Sequence, residues 1–344
     1  MNQSMWGNDK TKHFYKLAPH TVLDDIEKLG YLTSGRCLAL NSLENRVYEI
    51  EIIVDEEKVK SPSDRFLVAK FYRPGRWSEE QILEEHQFLF DLEQAEIPVI
   101  SPLKINGQSL FKSEDTEILY SIFPKRGGRL QDELKEEELK QIGRTIARLH
   151  IVGKSKEAKH RLKLDHNTYG QINFQYLKDN LIFPKTLRPH FEAIIEQIIE
   201  LIAPMFENAY FQRIHGDCHL GNILWNHENP LLVDFDDMVT GPPVQDIWHI
   251  ASGRDNEAIQ RRNIVLTAYE TMNDFDRSTV RLIEPLRTLR YIHFMAWISK
   301  RWEDESFKRA FPMYGSEGYW SEQMLDLREQ FALIQEEAYS NQTY

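Results

Sequence analysis

The chain is poor in cysteine, in basic excess and in long apolar runs, and each shortage narrows what it can be. Among 344 residues only two are cysteines, Cys37 and Cys218, far apart in sequence. They supply neither a disulfide framework nor a Cys-rich zinc site, and so point to a reducing, cytoplasmic setting. Lys plus Arg number 42 against 54 Asp plus Glu, a formal net charge of −12. A dedicated nucleic-acid binder would carry a basic domain, so nucleic acid is not an expected partner. Purely apolar runs are only a few residues long, which excludes a membrane span. Residues 1–15 are polar, with no apolar stretch before a small-residue cleavage site. They read as a flexible or extension segment, not a secretory signal. What is present is 41% hydrophobic and 11% aromatic, enough for a substantial core. At roughly 150 residues per domain, the length allows about two domains or lobes.

The pattern divides the chain unequally. Val47–Val54 and Phe66–Tyr72 are β-branched or aromatic runs, separated by a polar loop from Asp55 to Asp64 that contains Pro62. Ser78, followed by Glu79, Glu80 and Gln81, predicts a helix N-cap, and Ile82, Leu89 and Leu92 continue the stripe. Leu110–Phe111 and Ile118–Phe123 read as strands, ending at Pro124 and Gly127–Gly128. Beyond them helices dominate. Leu139, Ile142, Ile146 and Leu149 share a face, Phe191–Phe206 carries isoleucines likewise, and helical patterns cover about 256–272, 283–301 and 321–339. Only 213–215, 222–225 and 231–236 interrupt with strand character. The expected fold is α+β: a small β-rich lobe with one helix over residues 1–122, then a larger helical lobe over 123–344 holding a short hairpin.

Reactive side chains concentrate in His215-Gly216-Asp217-Cys218-His219-Leu220-Gly221-Asn222, which is followed by Leu231-Leu232-Val233-Asp234-Phe235-Asp236-Asp237. Asn222 and Asp234 flank the open end of the expected hairpin, with Asp217 at the mouth of the same point. One carboxylate beside a carboxylate–amide pair suits phosphoryl transfer. Mg²⁺ takes hard oxygen ligands and keeps substrate phosphates in its shell, while a separate group takes the acceptor's proton. The protein-kinase catalytic loop sets its base and its Mg²⁺-binding Asn five residues apart, and 222 − 217 is also five. The blander readings are turn caps for Asp217 or Asn222, and loop support from His215. A zinc set of His215, Asp217 and His219 lacks a second cluster to complete it. Asp236, Asp237 and Asp246 read respectively as support behind the site, solvated charge and a structural cap near Trp248.

Upstream, Lys70 lies in an apolar strand, where a buried ammonium needs an anionic partner. The following helix offers Glu84 and Glu85, of which Glu85 lies beside the buried stripe. A G-x-G-x-x-G loop is missing. In its place, Leu40–Tyr48 forms a turn in which Ser42 and nearby backbone N–H groups are candidates to contact phosphates.

These residues resemble the signature of the aminoglycoside phosphotransferase and choline kinase superfamily, which shares the protein-kinase fold. Asn41–Tyr48, Lys70–Trp77, Glu84–Phe88 and Gly241–Asp246 resemble more narrowly the bacterial stress-response kinases within it. The resemblance implies an ATP- and Mg²⁺-dependent serine/threonine protein kinase, cytoplasmic and monomeric, with protein substrates. It implies Asp217 as proton acceptor, Asn222 and Asp234 as Mg²⁺ ligands with Asp234 also catalytic, and Ser42, Lys70 and Glu85 at the nucleotide. Gly216 in place of the usual arginine, Asp-Phe-Asp in place of Asp-Phe-Gly, and the missing Ala-Pro-Glu segment depart from ordinary protein kinases. They are shared with small-molecule kinases, so a small alcohol is the alternative acceptor, and a nucleotide-binding scaffold is a third reading.

Overall fold

The computed structural model describes Phe14, residues 17–226 and residues 229–340. The 1–15 extension, Phe14 apart, lies outside the described residues, as do His227 and Glu228 of the expected hairpin turn. Five antiparallel strands form the first sheet: β1 (Thr33–Leu40), β2 (Arg46–Ile52), β3 (Phe66–Phe71), β4 (Phe111–Lys112) and β5 (Leu119–Pro124), in spatial order β1-β2-β3-β5-β4. Period-two alternation sorts their side chains. Tyr48, Ile50, Leu67, Ala69, Phe71, Tyr120 and Ile122 are buried on one face with Phe14. Against them pack Val22 and Ile26 of α1 (Pro19–Lys28), a helix that the stripe reading passed over because it is only ten residues long. Each such side chain contributes roughly 1.5–3 kcal/mol by leaving water. The register sets Val47 opposite Lys70 and Lys70 opposite Ser121.

The expected cap opens α2 (Glu79–Gln94). Ser78 Oγ accepts from the Gln81 amide at 3.3 Å, while Gln81 Oε1 accepts from the Ser78 amide at 2.9 Å. Phe88, Leu89 and Leu92 turn toward the second lobe's core.

That lobe contains α3 (Glu136–Gly153), α4 (Ile172–Asp179), α5 (Arg188–Phe206), α6 (Val244–Trp248), α7 (Asn256–Glu270), α8 (Ile283–Lys300), α9 (Glu305–Ala310) and α10 (Glu317–Ser340). Ile195, Ile198 and Ile202 of α5 pack with Leu286, Leu289 and Ile292 of α8 and Leu327 of α10. The α3 stripe Leu139, Ile142, Ile146 and Leu149 meets Val265 and Tyr269 of α7. Among the described residues no helix is long and apolar enough to cross a membrane.

Two departures from the pattern shape the site. The run expected as a strand through Asp236 stops at Leu232. The hairpin comprises β7 (Ile223–Asn226) and β8 (Asn229–Leu232), after which Asp234 takes a left-handed backbone (φ 60°, ψ 68°) and Phe235–Asp237 form a tight turn. The strand seen at 213–215 is β6 (Gln212–Ile214), and its partner is β9 (Val239–Gly241). Three residues are too few for an alternation to register, so β9 was invisible in sequence.

Candidate active site

The loop from His215 to Asn222 leaves β6 and is fixed from beneath by Asp246 of α6. Asp246 accepts from the His215 amide and the Gly216 amide, each at 2.9 Å, and pairs with His150 Nε2 at 3.0 Å. Burial opposes its charge, but His150 and these contacts hold its carboxyl below the ordinary range. The expected structural cap is therefore a clamp on the loop itself. His215 Nε2 meets the Val233 carbonyl at 2.9 Å, the loop-supporting role read from sequence. Gly216 has φ +87°, and a Cβ there would run into the Asp237 carbonyl. The arginine usual at this position in protein kinases has no room.

Asp217 projects between three cationic or donor groups. Arg290 Nη1 of α8 is 2.8 Å from Oδ1, His249 Nδ1 is 3.4 Å from the same oxygen, and His219 Nε2 is 3.4 Å from Oδ2. Burial opposes ionisation, yet His219, Arg290 and His249 hold the carboxyl well below its ordinary value. Asn222 Nδ2 donates to the Asp217 carbonyl at 3.0 Å, which leaves Asn222 Oδ1 uncommitted by that bond. The Val233 amide donates to the Asn222 carbonyl at 3.0 Å, so the hairpin's open end sets Asn222 beside the Val233–Asp234 step. Asp234 is the exposed carboxylate here, its side chain 59% accessible. A non-glycine residue held at positive φ is a strained arrangement that recurs at functional sites.

Lys70 Nζ is 2.9 Å from Asp236, 3.4 Å from Asp234 and 3.9 Å from Glu85. Burial works against the ammonium, but Asp236, Glu85 and Asp234 keep its pKa well above normal. Of the two candidate glutamates, Glu85 faces Lys70, whereas Glu84 accepts from the backbone amides of Lys159, His160 and Arg161. Glu85 binds Arg161 more closely, at 2.6 Å. Asp236 also pairs with Arg76, which reaches Asp237 too. These cations, Lys70, Arg76 and Arg161, face Asp234, Asp236, Asp237 and Glu85. Four carboxylates thus face three cations, and Asp234 is the most exposed of the four, a fit for a divalent cation. Among the described residues no three His, Cys, Asp or Glu side chains gather into a self-sufficient metal cage. An oxygen pair completed by phosphate is how Mg²⁺ is commonly held.

Ser42, Lys70, Glu85, Asp217 and Asp234 all line one cleft of about 1010 Å³, walled by Leu40, Val47, Val68, Phe123, Leu224 and Val233. Asn222 is not among the residues that line it. Ser42 Oγ accepts from the Asn45 amide at 3.3 Å, shaping the β1–β2 turn. Glu44 of that turn ties it to α8: Arg301 is 2.7 Å away, and Trp297 Nε1 donates to Glu44 at 2.7 Å. Despite burial, Arg301, Arg76 and Arg73 lower the Glu44 pKa to about 2. A second recess of about 200 Å³ opens beyond Asp217, bordered by Tyr169, Arg290, Phe294, Trp297, Glu44 and Asp237.

Sequence reasoning missed Arg76, Arg161, Glu44, His249 and Arg290. Each is a lone polar residue with a charged partner supplied from more than 30 positions away. Asp236 was seen, but its hold on Lys70 was not.

A two-lobed fold with this loop, hairpin and strand lysine defines a phosphoryl-transfer class, and the comparisons specify it. A profile of the phosphotransferase enzyme family matches residues 39–283, and the chain belongs to that family. It is 36% identical over 330 residues to stress response kinase A of Escherichia coli strain K12, covering 96% of this chain and 97% of that protein. It is 35% identical over the same span to "Serine/threonine protein kinase RdoA" of Salmonella typhimurium. Among solved structures, amicoumacin kinase hAmiN in complex with AMP-PNP, Ca²⁺ and Ami superposes with a TM-score of 0.71 at 18% identity, over 92% of this chain and 94% of that one. A microcompartment-associated aminopropanol kinase follows at 0.65 and 16%, over 93% and 98%. The two-lobed kinase-like α+β fold and the stress-response-kinase likeness read from the motifs are thus both found.

Proposed function

We propose that this protein transfers the γ-phosphoryl group of ATP to serine or threonine hydroxyls of proteins, its own included, in a bacterial stress response. The observation that carries the reaction class is the arrangement of Asp217, Asp234 and Lys70 along one cleft large enough for a nucleotide. Apolar Leu40, Val47, Val68 and Phe123 would hold the base, and the Ser42 turn and Lys70 the phosphates. Asn222 and Asp234 would hold Mg²⁺, which supplies charge neutralisation to the phosphates when bound. Asp217 receives the acceptor's proton as the oxygen–phosphorus bond forms and the bond to ADP breaks.

The protein acceptor rests on the similarity to stress response kinase A and to the relative named a serine/threonine protein kinase. The recess beyond Asp217, about 200 Å³, is below the roughly 300–1,000 Å³ of sites for drug-sized ligands and admits one inserted side chain or a small alcohol. A small alcohol is the second reading, favoured by the aminopropanol kinase likeness. Both cysteines are free thiols, which suits the cytoplasm.

The test is phosphosite mapping after the purified protein reacts with ATP, Mg²⁺ and a native lysate. New phosphoserine or phosphothreonine is expected; ADP release with amino alcohols alone would favour the second reading. Asp217→Asn should cut turnover by several decades while ATP still binds. Wild-type turnover in that variant would overturn the scheme.

A further inference from the structure

His249 belongs to no motif and has no role in the scheme above, yet it is buried at the back of the Asp217 carboxylate. Its side chain is 3% accessible. Its Nδ1 has no well-aligned hydrogen bond among the described residues, and Asp217 Oδ1 lies 3.4 Å away. The ring's other nitrogen reveals its protonation. Gln245 is oriented at both ends, since Trp248 Nε1 donates to its Oε1 at 3.0 Å and its Nε2 donates to the Gly216 carbonyl at 2.9 Å. Gln245 Nε2 also lies 3.2 Å from His249 Nε2. An amide nitrogen only donates, so His249 Nε2 must accept, and in the neutral ring the proton sits on Nδ1. Burial, followed by the charge of Arg290, lowers the His249 pKa to about 3 and keeps the ring neutral.

The Nδ1–H therefore lies on the side of Asp217 Oδ1, 3.4 Å away and out of line for a hydrogen bond, beside the oxygen that Arg290 holds at 2.8 Å. Oδ2 faces half-exposed His219 on the open side. A long contact of this kind is common before substrate binds and tightens in the reacting complex.

We propose that His249, held by Gln245 as the Nδ1–H tautomer, is a positioning residue that turns the Asp217 carboxylate so that Oδ2 meets the acceptor hydroxyl. The assignment rests on Asp217 being the base, and applies to a protein or a small-molecule acceptor alike. The clamp from Asp246 fixes the loop backbone, while His249, on the same oxygen as Arg290, bears on the orientation of the Asp217 side chain.

The experiment measures ADP release from Mg²⁺–ATP with a mixed serine/threonine peptide library, giving kcat and the KM for ATP. His249→Ala is expected to lower kcat about ten- to a hundredfold at unchanged KM, less than loss of the base itself. His249→Asn places an amide N–H where Nδ1–H stood and should restore most of the loss. A role in packing alone would give no such rescue. Gln245→Met removes the donor that sets the tautomer while leaving His249 in place, and should cost several-fold in kcat; it serves if His249→Ala does not fold. Asp217→Asn separates the premises. If it keeps wild-type turnover, the base assignment fails. If it is inactive while His249→Ala or Gln245→Met turns over at the wild-type rate, or His249→Asn is no better than alanine, the positioning role alone is overturned.

Discussion

Lys70 stands 2.9 Å from Asp236 and 3.9 Å from Glu85, so the nearest anion to the strand lysine comes from the segment after the hairpin and not from α2. Glu85 is instead drawn to Arg161. Asp236 also pairs with Arg76, and with these two cations it joins the lobes at the floor of the cleft.

Asp236→Ala should therefore be costlier than Glu85→Gln. Removing one partner from a buried ion pair costs about 3–5 kcal/mol because the remaining charge is left uncompensated. Urea unfolding of the two variants measures the difference. A loss in Asp236→Ala no larger than in Glu85→Gln would contradict the ranking.

Glu44 couples the β1–β2 turn to α8 through Arg301 and Trp297. Glu44→Ala should loosen the turn and raise the KM for ATP about tenfold, a loss of about 1.4 kcal/mol. Nucleotide titration checks it; wild-type affinity would show that the turn is shaped without this tie.

Restoring the kinase-type arginine should fail. At φ +87°, with the Asp237 carbonyl in the path of a Cβ, Gly216→Arg and even Gly216→Ala must displace the loop. A stability loss above about 2 kcal/mol is expected from strain plus overpacking. Circular-dichroism melting of Gly216→Ala tests this, and a wild-type Tm would refute it.

Acid should weaken the fold well before carboxylates titrate. Burial, with Lys70 nearby for His86 and Arg290 for His249, lowers both pKa values from 6.5 to about 3. His86 is held between the Tyr72 and Ser109 hydroxyls at 2.9 and 3.0 Å. Once unfolded, both rings bind protons near pH 6.5, so unfolding takes up protons and stability falls as pH drops from about 6.5 toward 3. These two groups alone give a slope of at most about 3 kcal/mol per pH unit, and buried His293, whose pKa is likewise lowered, adds to it. Calorimetry from pH 7 to pH 4.5 should show a falling Tm with proton uptake; a flat profile would contradict it.

Much was legible in the chain itself. Alternation announced the strands carrying Val47 and Lys70, Ser78 announced α2, and the five-residue interval from Asp217 to Asn222 singled out the candidate loop. These are local signals, carried by neighbours whose spacing matches a strand, a helical turn or a short loop. Geometry across the chain decided the rest. Whether Asp236 or Glu85 holds Lys70, why Gly216 cannot be arginine, and which nitrogen of His249 faces Asp217 depend on groups brought together from distant positions by burial. Charge in a low-dielectric interior is set by whatever lies within a few ångströms, and that neighbourhood comes into being only when the two lobes pack.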